Sequence, residues 1–290
     1  MRSNKRPTTN ALRTSNRVAR RYLMMRGFTR KEVQTDIGTL HLMEAKGRGP
    51  LPPLVMLHGL SAAGVHYGPL LPTLRRHVRH VIAPDLPGHG FSDVPSGGMS
   101  SSQLRAGLFE ALDSVLTEPT VLFGNSMGGL AAIRYAQSRP ERVRALLICS
   151  PVGAPMARHE IVRFVDDLRL DSHQKAVRFV GRFLKRDYRF GHLLAPAVRP
   201  AMNHTNVQSL LSTLGPEDLL TPEDLQALKM PVHLLWGGSE RLLPASGLEF
   251  FSEHLPQHAQ INRPQHFSHA PYLEHPRQVT QYILRCMRTL

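Results

Sequence analysis

The hexapeptide GNSMGG, Gly124–Gly129, places a serine between small residues at a point where two structural periods meet. A β-branched and aromatic run, PTVLF, precedes it and an Ala-rich helical pattern, LAAIRYAQ, follows at once. This strand–turn–helix setting is that of a nucleophile elbow. A serine there must sit on a turn sharp enough to strain its backbone, with Oγ projecting from the sheet edge. Gly124 and Gly128 must be small so that strand and helix can approach. The backbone N–H of Met127 then points from a helix N-terminus, where the dipole favours an oxyanion. The chemistry implied is nucleophilic acyl transfer. A second oxyanion donor is available in LHGLS, where the N–H of Leu60 follows the end of a short apolar strand. The bland alternatives are a Gly-rich strand-to-helix connection and an ordinary βα turn.

Taken together, LHGLS, APDLPGHGFSD, GNSMGG, WGGSERLLP and HAPYLEHP resemble the α/β-hydrolase superfamily of serine hydrolases, over roughly residues 33–290. The resemblance implies a mainly parallel central sheet, a Ser–acid–His chain order and no metal or organic cofactor. In that family the D-x-P-G-x-G-x-S segment shapes a loop, so Asp85, His89 and Ser92 are expected to be structural. Sixteen histidines leave most of them incidental, and the chain order restricts the catalytic one to His254, His258, His266, His269 or His275. His269 is followed by Pro271, Glu274 and Pro276 in the register that the family carries, so it is the expected base. His266, on the same loop, is its competitor. Ser268 stands where the family often has Gly.

The acid is the main departure. The family pattern W-G-x-x-D-x-x-x-P keeps its frame here in Trp236, Gly237 and Pro244, with Glu240 at the acid position. Its role would be to fix the imidazole tautomer and to stabilise the imidazolium. Asp218 and Asp224 fall too early in the chain, and ICSPVG offers no carboxylate. The competing reading leaves Glu240 displaced or solvated and the triad impaired.

Several elements must position these residues. KEVQTDIGTLHLMEA alternates like a hairpin, LPPLVMLHG and HVIAPDLPG read as buried strands, and SSQLRAGLFEALDSVL reads as a helix behind a Ser-rich N-cap region. VRALLICSP, MPVHLLWGG and HAQINRP supply later strands, with helices near SGLEFFSEHL and PRQVTQYILRCMRTL. Strands alternating with helices indicate an α/β fold around a mainly parallel sheet. The alternation breaks over residues 151–229, which are helical in pattern and rich in Arg and Phe. We read this stretch as a helical cap inserted into a core formed by 33–150 and 230–290.

At 290 residues and 41% hydrophobic, the chain can bury one sizeable core. No apolar run is long enough to cross a bilayer, and the N-terminus has no apolar segment typical of a secretory signal. Cys149 and Cys286 form no framework and are read as two buried thiols in a reducing, cytoplasmic setting. The formal net charge of +14 concentrates in an N-terminal arm, 1–32, and in RFVGRFLKRDYRF, Arg178–Phe190. NALRTSNRVARRYLMM within the arm has a helical pattern, with Leu12, Ala19 and Leu23 on one side. The charge is that of a solvated face or of peripheral contact with an anionic membrane. Nucleic acid is not expected, because no binding module accompanies the charge.

The leading functional expectation is a hydrolase of carboxylic esters with acyl or lipid-like substrates, working through Ser126, His269 and Glu240 with Leu60 and Met127 as oxyanion donors. A carbon–carbon bond hydrolase of the ring-cleavage-product type is the runner-up, because some of those enzymes share GNSMGG. HGLSAAGVHYGPL lacks their Gly-Pro-Gly-rich loop. Thioesterase or haloperoxidase-like chemistry stays open, as does a non-catalytic binding protein on the same fold.

Overall fold

A computed structural model describes residues 10–290 apart from Gly97, Arg186 and Asp187. Arg2, Lys5 and Arg6 of the expected basic arm lie outside the described residues, as do two positions of the Arg–Phe stretch. The described strands are β1 (Thr29–Thr35), β2 (Gly38–Lys46), β3 (Leu54–Leu57), β4 (His80–Pro84), β5 (Thr120–Asn125), β6 (Val143–Cys149), β7 (Val232–Leu235) and β8 (Gln260–Asn262). They form one sheet in the order β1-β2-β4-β3-β5-β6-β7-β8. β1 and β2 make the expected hairpin, closed by Asp36-Ile37 between paired Thr35 and Gly38. β2 also pairs antiparallel with β4. The remaining pairs are parallel.

Parallel strands covered on both faces must be apolar along their whole length. β3, β5 and β7 are buried at every residue, and apart from Thr120 and Asn125 at the ends of β5 and His233 in β7 they carry no polar side chain. Alternate side chains feed two cores. Leu54, Met56, Val121 and Phe123 join Tyr282 and Ile283 of helix Pro276–Arg288 on one face. Val55, Leu57 and Leu122 pack on the other face with helices Ser101–Val115, Met127–Ser138 and Ala245–His254. The Ser-rich segment ahead of the first of these helices supplies its start. Ser100 Oγ accepts from Gln103 N, and the Gln103 side chain accepts from Ser100 N, closing a capping box.

Between β6 and β7 run the helices Arg158–Asp167, His173–Phe183, Tyr188–Met202 and Thr205–Ser212 and the short helix Pro222–Gln226, with no strand among the described residues. The first four hold their own apolar cluster, in which Ile161, Val165, Val177 and Leu211 meet Leu242 at the rim of the sheet. The N-terminal helix, Asn10–Met25, is seated on the rest of the molecule. Leu23 is fully buried, Asn16 Oδ1 lies 2.9 Å from His66 Nε2, and the Arg20 guanidinium sits 4.0 Å over the Phe91 ring. Both cysteines are free and buried. No described helix is long and apolar enough to cross a membrane.

Candidate active site

Ser126 stands between the end of β5 and the start of helix Met127–Ser138 with φ 56° and ψ −120°. A positive φ at a non-glycine residue costs on the order of 1–3 kcal/mol and persists only where surroundings enforce it. The enforcing contacts are visible at the two glycines singled out from sequence. A Cβ at Gly124 would lie 2.3 Å from the Gly128 carbonyl oxygen, and one at Gly128 would lie 2.2 Å from that of Leu57. Neither position has room for a methyl group. Met127 opens the helix, so its N–H belongs to the first turn, which has no intrahelical acceptor.

The loop after β3 approaches the same point. A Cβ at Gly59 would come 3.2 Å from Ser126 Cβ. The fully buried His58 holds this loop through both ring nitrogens. The Leu86 N–H donates to Nε2 at 3.0 Å, so the ring proton is on Nδ1, which donates to the Gly59 carbonyl at 2.8 Å. Burial, reinforced by the neighbouring His89, pushes the His58 pKa down to about 3. A neutral ring suits these two bonds, one donated and one accepted. Leu60 and Met127 both line the cavity onto which Ser126 opens.

His269 and Glu240 come from two loops at the far end of the sheet. Glu240 follows β7 on a turn in which its N–H bonds the Gly237 carbonyl at 3.0 Å. Its Oε2 lies 2.8 Å from His269 Nδ1, while Oε1 accepts from the N–H groups of Leu242 at 2.7 Å and Leu243 at 3.1 Å. The two side chains are 4% and 1% exposed. Burial works against ionisation of this carboxyl. Electrostatic attraction to His269, the hydrogen bond with it and the two backbone donors outweigh that, and hold the Glu240 pKa below its ordinary value. The longer side chain therefore reaches the imidazole with every carboxylate oxygen engaged.

The competing residues are occupied elsewhere. His266 is exposed and pairs with Gln278 Oε1 at 2.6 Å. Asp224 pairs with Arg134, and Asp218 accepts from Ser101 Oγ and Gly215 N. Asp85 receives N–H bonds from Gly64 at 2.7 Å and Phe91 at 2.8 Å and lies 3.0 Å from His41 Nδ1, which ties the 85–92 loop to β2. Ser268 is buried and bonds the Glu274 carboxylate, so the hydroxyl standing in for the family's Gly clasps the turn that follows His269.

One residue escaped the sequence reading. Asn125, buried at the end of β5, donates through Nδ2 to the Cys149 carbonyl at 3.0 Å and to the His269 carbonyl at 2.8 Å. It joins the nucleophile strand to the histidine loop across 144 residues of sequence. Its place immediately before the serine was the only sequence signal.

Ser126, His269 and Tyr272 line one wall of a cavity of about 170 Å³. The helices between β6 and β7 cover it with Ile161, Phe164, Phe179, Phe183 and Leu211. The Phe183 ring lies 5.6 Å from that of His269. The lining is mostly apolar, with Ser101, Arg105, Arg134 and Asp218 as further polar members besides Asn125, Ser126 and His269.

A model of the α/β hydrolase fold matches residues 52–276, and the chain belongs to that family. Among curated proteins it is 30% identical over 257 residues to the pimeloyl-[acyl-carrier protein] methyl ester esterase of Aeromonas hydrophila, covering 83% of this chain and 96% of that one. It is 31% identical over 259 residues to the enzyme of the same name from Xanthomonas oryzae pv. oryzae, covering 82% and 95%. Among solved structures, a membrane phospholipase A superposes with a TM-score of 0.78 at 23% identity, over 97% of this chain and 92% of that one. That last likeness bears on the fold alone.

Proposed function

We propose that the protein is a carboxylic ester hydrolase in which Ser126 is the nucleophile, His269 the general base and acid, and Glu240 the residue that orients His269. The observation that carries this reading is the His269–Glu240 contact at 2.8 Å, in the wall of the cavity that also exposes the strained Ser126. With Nδ1 engaged by Glu240, the neutral imidazole presents Nε2 as an acceptor. His269 takes the Ser126 proton as Oγ attacks the ester carbonyl carbon. The N–H groups of Leu60 and Met127 receive the developing oxyanion. The tetrahedral centre collapses by expelling the alcohol, which takes the proton from His269. Water, deprotonated by the same imidazole, then releases the acid from the acyl-enzyme and restores Ser126.

The apolar lining favours an ester with a hydrocarbon acyl chain, and residues 151–229 act as the cap that holds it. The named substrate of the relatives, a methyl ester of an acyl chain on a carrier protein, belongs to this class. A lipid-like ester belongs to it equally, and the basic N-terminal arm suits an encounter at an anionic lipid surface. A ring-cleavage product carries a polar dienol and a carboxylate, which the predominantly apolar lining suits less well, although Arg105 and Arg134 also line the cavity.

The test is hydrolysis of p-nitrophenyl esters of graded acyl length by the wild type and by Ser126→Ala. Activity on chains that fill the cavity is expected, with kcat lower by about 10⁶ in the alanine variant, as when the nucleophile of a serine hydrolase is removed. Comparable activity in both would remove Ser126 from the mechanism. Failure of a fluorophosphonate probe to label the folded wild type would favour a binding protein on the same fold.

A further inference from the structure

Helix Asn10–Met25 presents two faces of different character. The inner face carries buried Asn16 and Leu23 and partly buried Ala19, packed against the core. On the outer side stand Val18, Tyr22 and Met25, which are 63%, 38% and 80% exposed. At 3.6 residues per turn these three fall within about 60° of one another around the helix axis. Exposed Arg17 and Arg21 flank the stripe on one side, and the Arg26 guanidinium lies 5.1 Å over the Tyr22 ring on the other. Residues 1–31 contain ten Lys or Arg and no Asp or Glu. Single exposed apolar side chains are ordinary on a surface, but three aligned on one acid-free helix are not.

We propose that this face is a docking surface for an anionic lipid bilayer, on which the helix lies flat with Val18, Tyr22 and Met25 in the acyl boundary and Arg17 and Arg21 at the phosphates. Charge complementarity selects an anionic partner. The shape selects lipid over an acidic protein, because the face is one convex helix with no groove to be filled, and a fluid surface requires none. Tyrosine and long arginine side chains are suited to the headgroup level, where an apolar stem and a polar tip are both satisfied. The inner face of the helix meets helix Tyr188–Met202 and the segment Gly64–Tyr67, which follows the Leu60 loop. Docking therefore brings the helices over the cavity toward the membrane; delivery of amphiphilic esters from the bilayer rests on the esterase reading above, whereas binding itself does not.

The experiment is co-sedimentation of the full chain with vesicles of pure phosphatidylcholine or of phosphatidylcholine with phosphatidylglycerol. The two variants are Arg17→Gln/Arg21→Gln and Val18→Ser/Met25→Ser. Each is checked for unchanged folding by circular dichroism and for unchanged hydrolysis of a short soluble p-nitrophenyl ester. Binding to the anionic vesicles alone is expected. Each lost arginine should weaken it about fivefold, so roughly 25-fold for the pair, and the serine pair should weaken it at least tenfold. The proposal is overturned if the wild type ignores anionic vesicles, or if both variants bind them as well as the wild type does. It is also overturned if an acidic carrier protein, and not the vesicles, is bound through these residues. A wild type that binds vesicles but hydrolyses no ester would sink the esterase reading and leave the docking surface standing.

Discussion

Gly128 and Gly181 both lie inside helices, yet their surroundings treat a methyl group in opposite ways. At Gly128 it would stand 2.2 Å from the Leu57 carbonyl oxygen, whereas at Gly181 it would meet nothing within 4 Å among the described residues. The first belongs to the helix that begins at the elbow, pressed against the end of β3. The second belongs to helix His173–Phe183, over the cavity. At the carboxyl ends of the strands, backbones from β3 and β5 and the loop before His269 are locked at contact distance. In the segment 151–229 two helices also approach closely at Gly191, where a Cβ would lie 3.1 Å from the Val177 carbonyl oxygen, but two prolines lie inside helix Tyr188–Met202, and Val162 and Leu193 stand exposed. Reaction geometry demands positions held to fractions of an ångström, and only the first region supplies them. On the reading proposed above the segment 151–229 sets substrate range, which demands a surface that can change without disturbing the chemistry, and the space at Gly181 is of that kind.

The sharpest way to break this comparison is at Glu240, the one position of the proposed triad where the chain departs from its family pattern. Glu240→Gln keeps the shape but removes the acceptor that fixes the His269 tautomer. Its kcat on a p-nitrophenyl ester should fall by about 10⁴. Glu240→Asp should retain more activity than the glutamine variant, because a carboxylate remains. Equal activity in Glu240→Gln and the wild type would place the acid elsewhere. Stability carries a second signature. The folded-state pKa lies below the ordinary glutamate value, so the carboxylate stabilises the fold above that value, and the contribution is lost as pH falls through the lower folded value. In Glu240→Gln the acid limb of a denaturation profile should flatten over that interval.

Gly128→Ala tests the locked region directly. The Leu57 carbonyl is backbone and cannot swing aside, so strand and helix must separate. A loss of about 1–3 kcal/mol is expected in urea unfolding. Hydrolysis should fall along with it, because the same separation moves Ser126 relative to the Leu60 loop. A variant with wild-type stability and activity would show that the contact yields cheaply, and the contrast with Gly181 would then lose its basis.

The same division explains what was legible beforehand. Elbow glycines, the Trp236–Pro244 frame and the register after His269 are local patterns, each imposed by a turn that tolerates few residue types. They pointed to Ser126, His269 and Glu240, the residues of the proposed triad, before any fold was in view. Asn125 was passed over because its partner, the His269 carbonyl, is brought to it by tertiary closure alone. His58 was read only as half of a turn, since the bond to its Nε2 depends on Leu86 arriving from the loop after β4. Periodicity found the helix Asn10–Met25 but not its seating, which rests on the Asn16–His66 contact and on Arg20 over Phe91. In the segment 151–229 helical character was visible, but periodicity does not specify which helix covers the serine.

Gly181→Ala is the smallest and most discriminating change. If the helices over the cavity pack loosely at this point, alanine gains helix propensity and meets no neighbour. The variant should then be more stable by about 0.5–1 kcal/mol, with kcat on short esters unchanged. A shift in chain-length preference without a change in kcat would sharpen the comparison further, since it would assign selectivity to this region and leave the chemistry where it is. A destabilised variant with weakened hydrolysis of every ester would mean that helix His173–Phe183 moves against the sheet during turnover and needs the space at Gly181. The two regions would then differ in mobility rather than in how tightly they constrain a side chain.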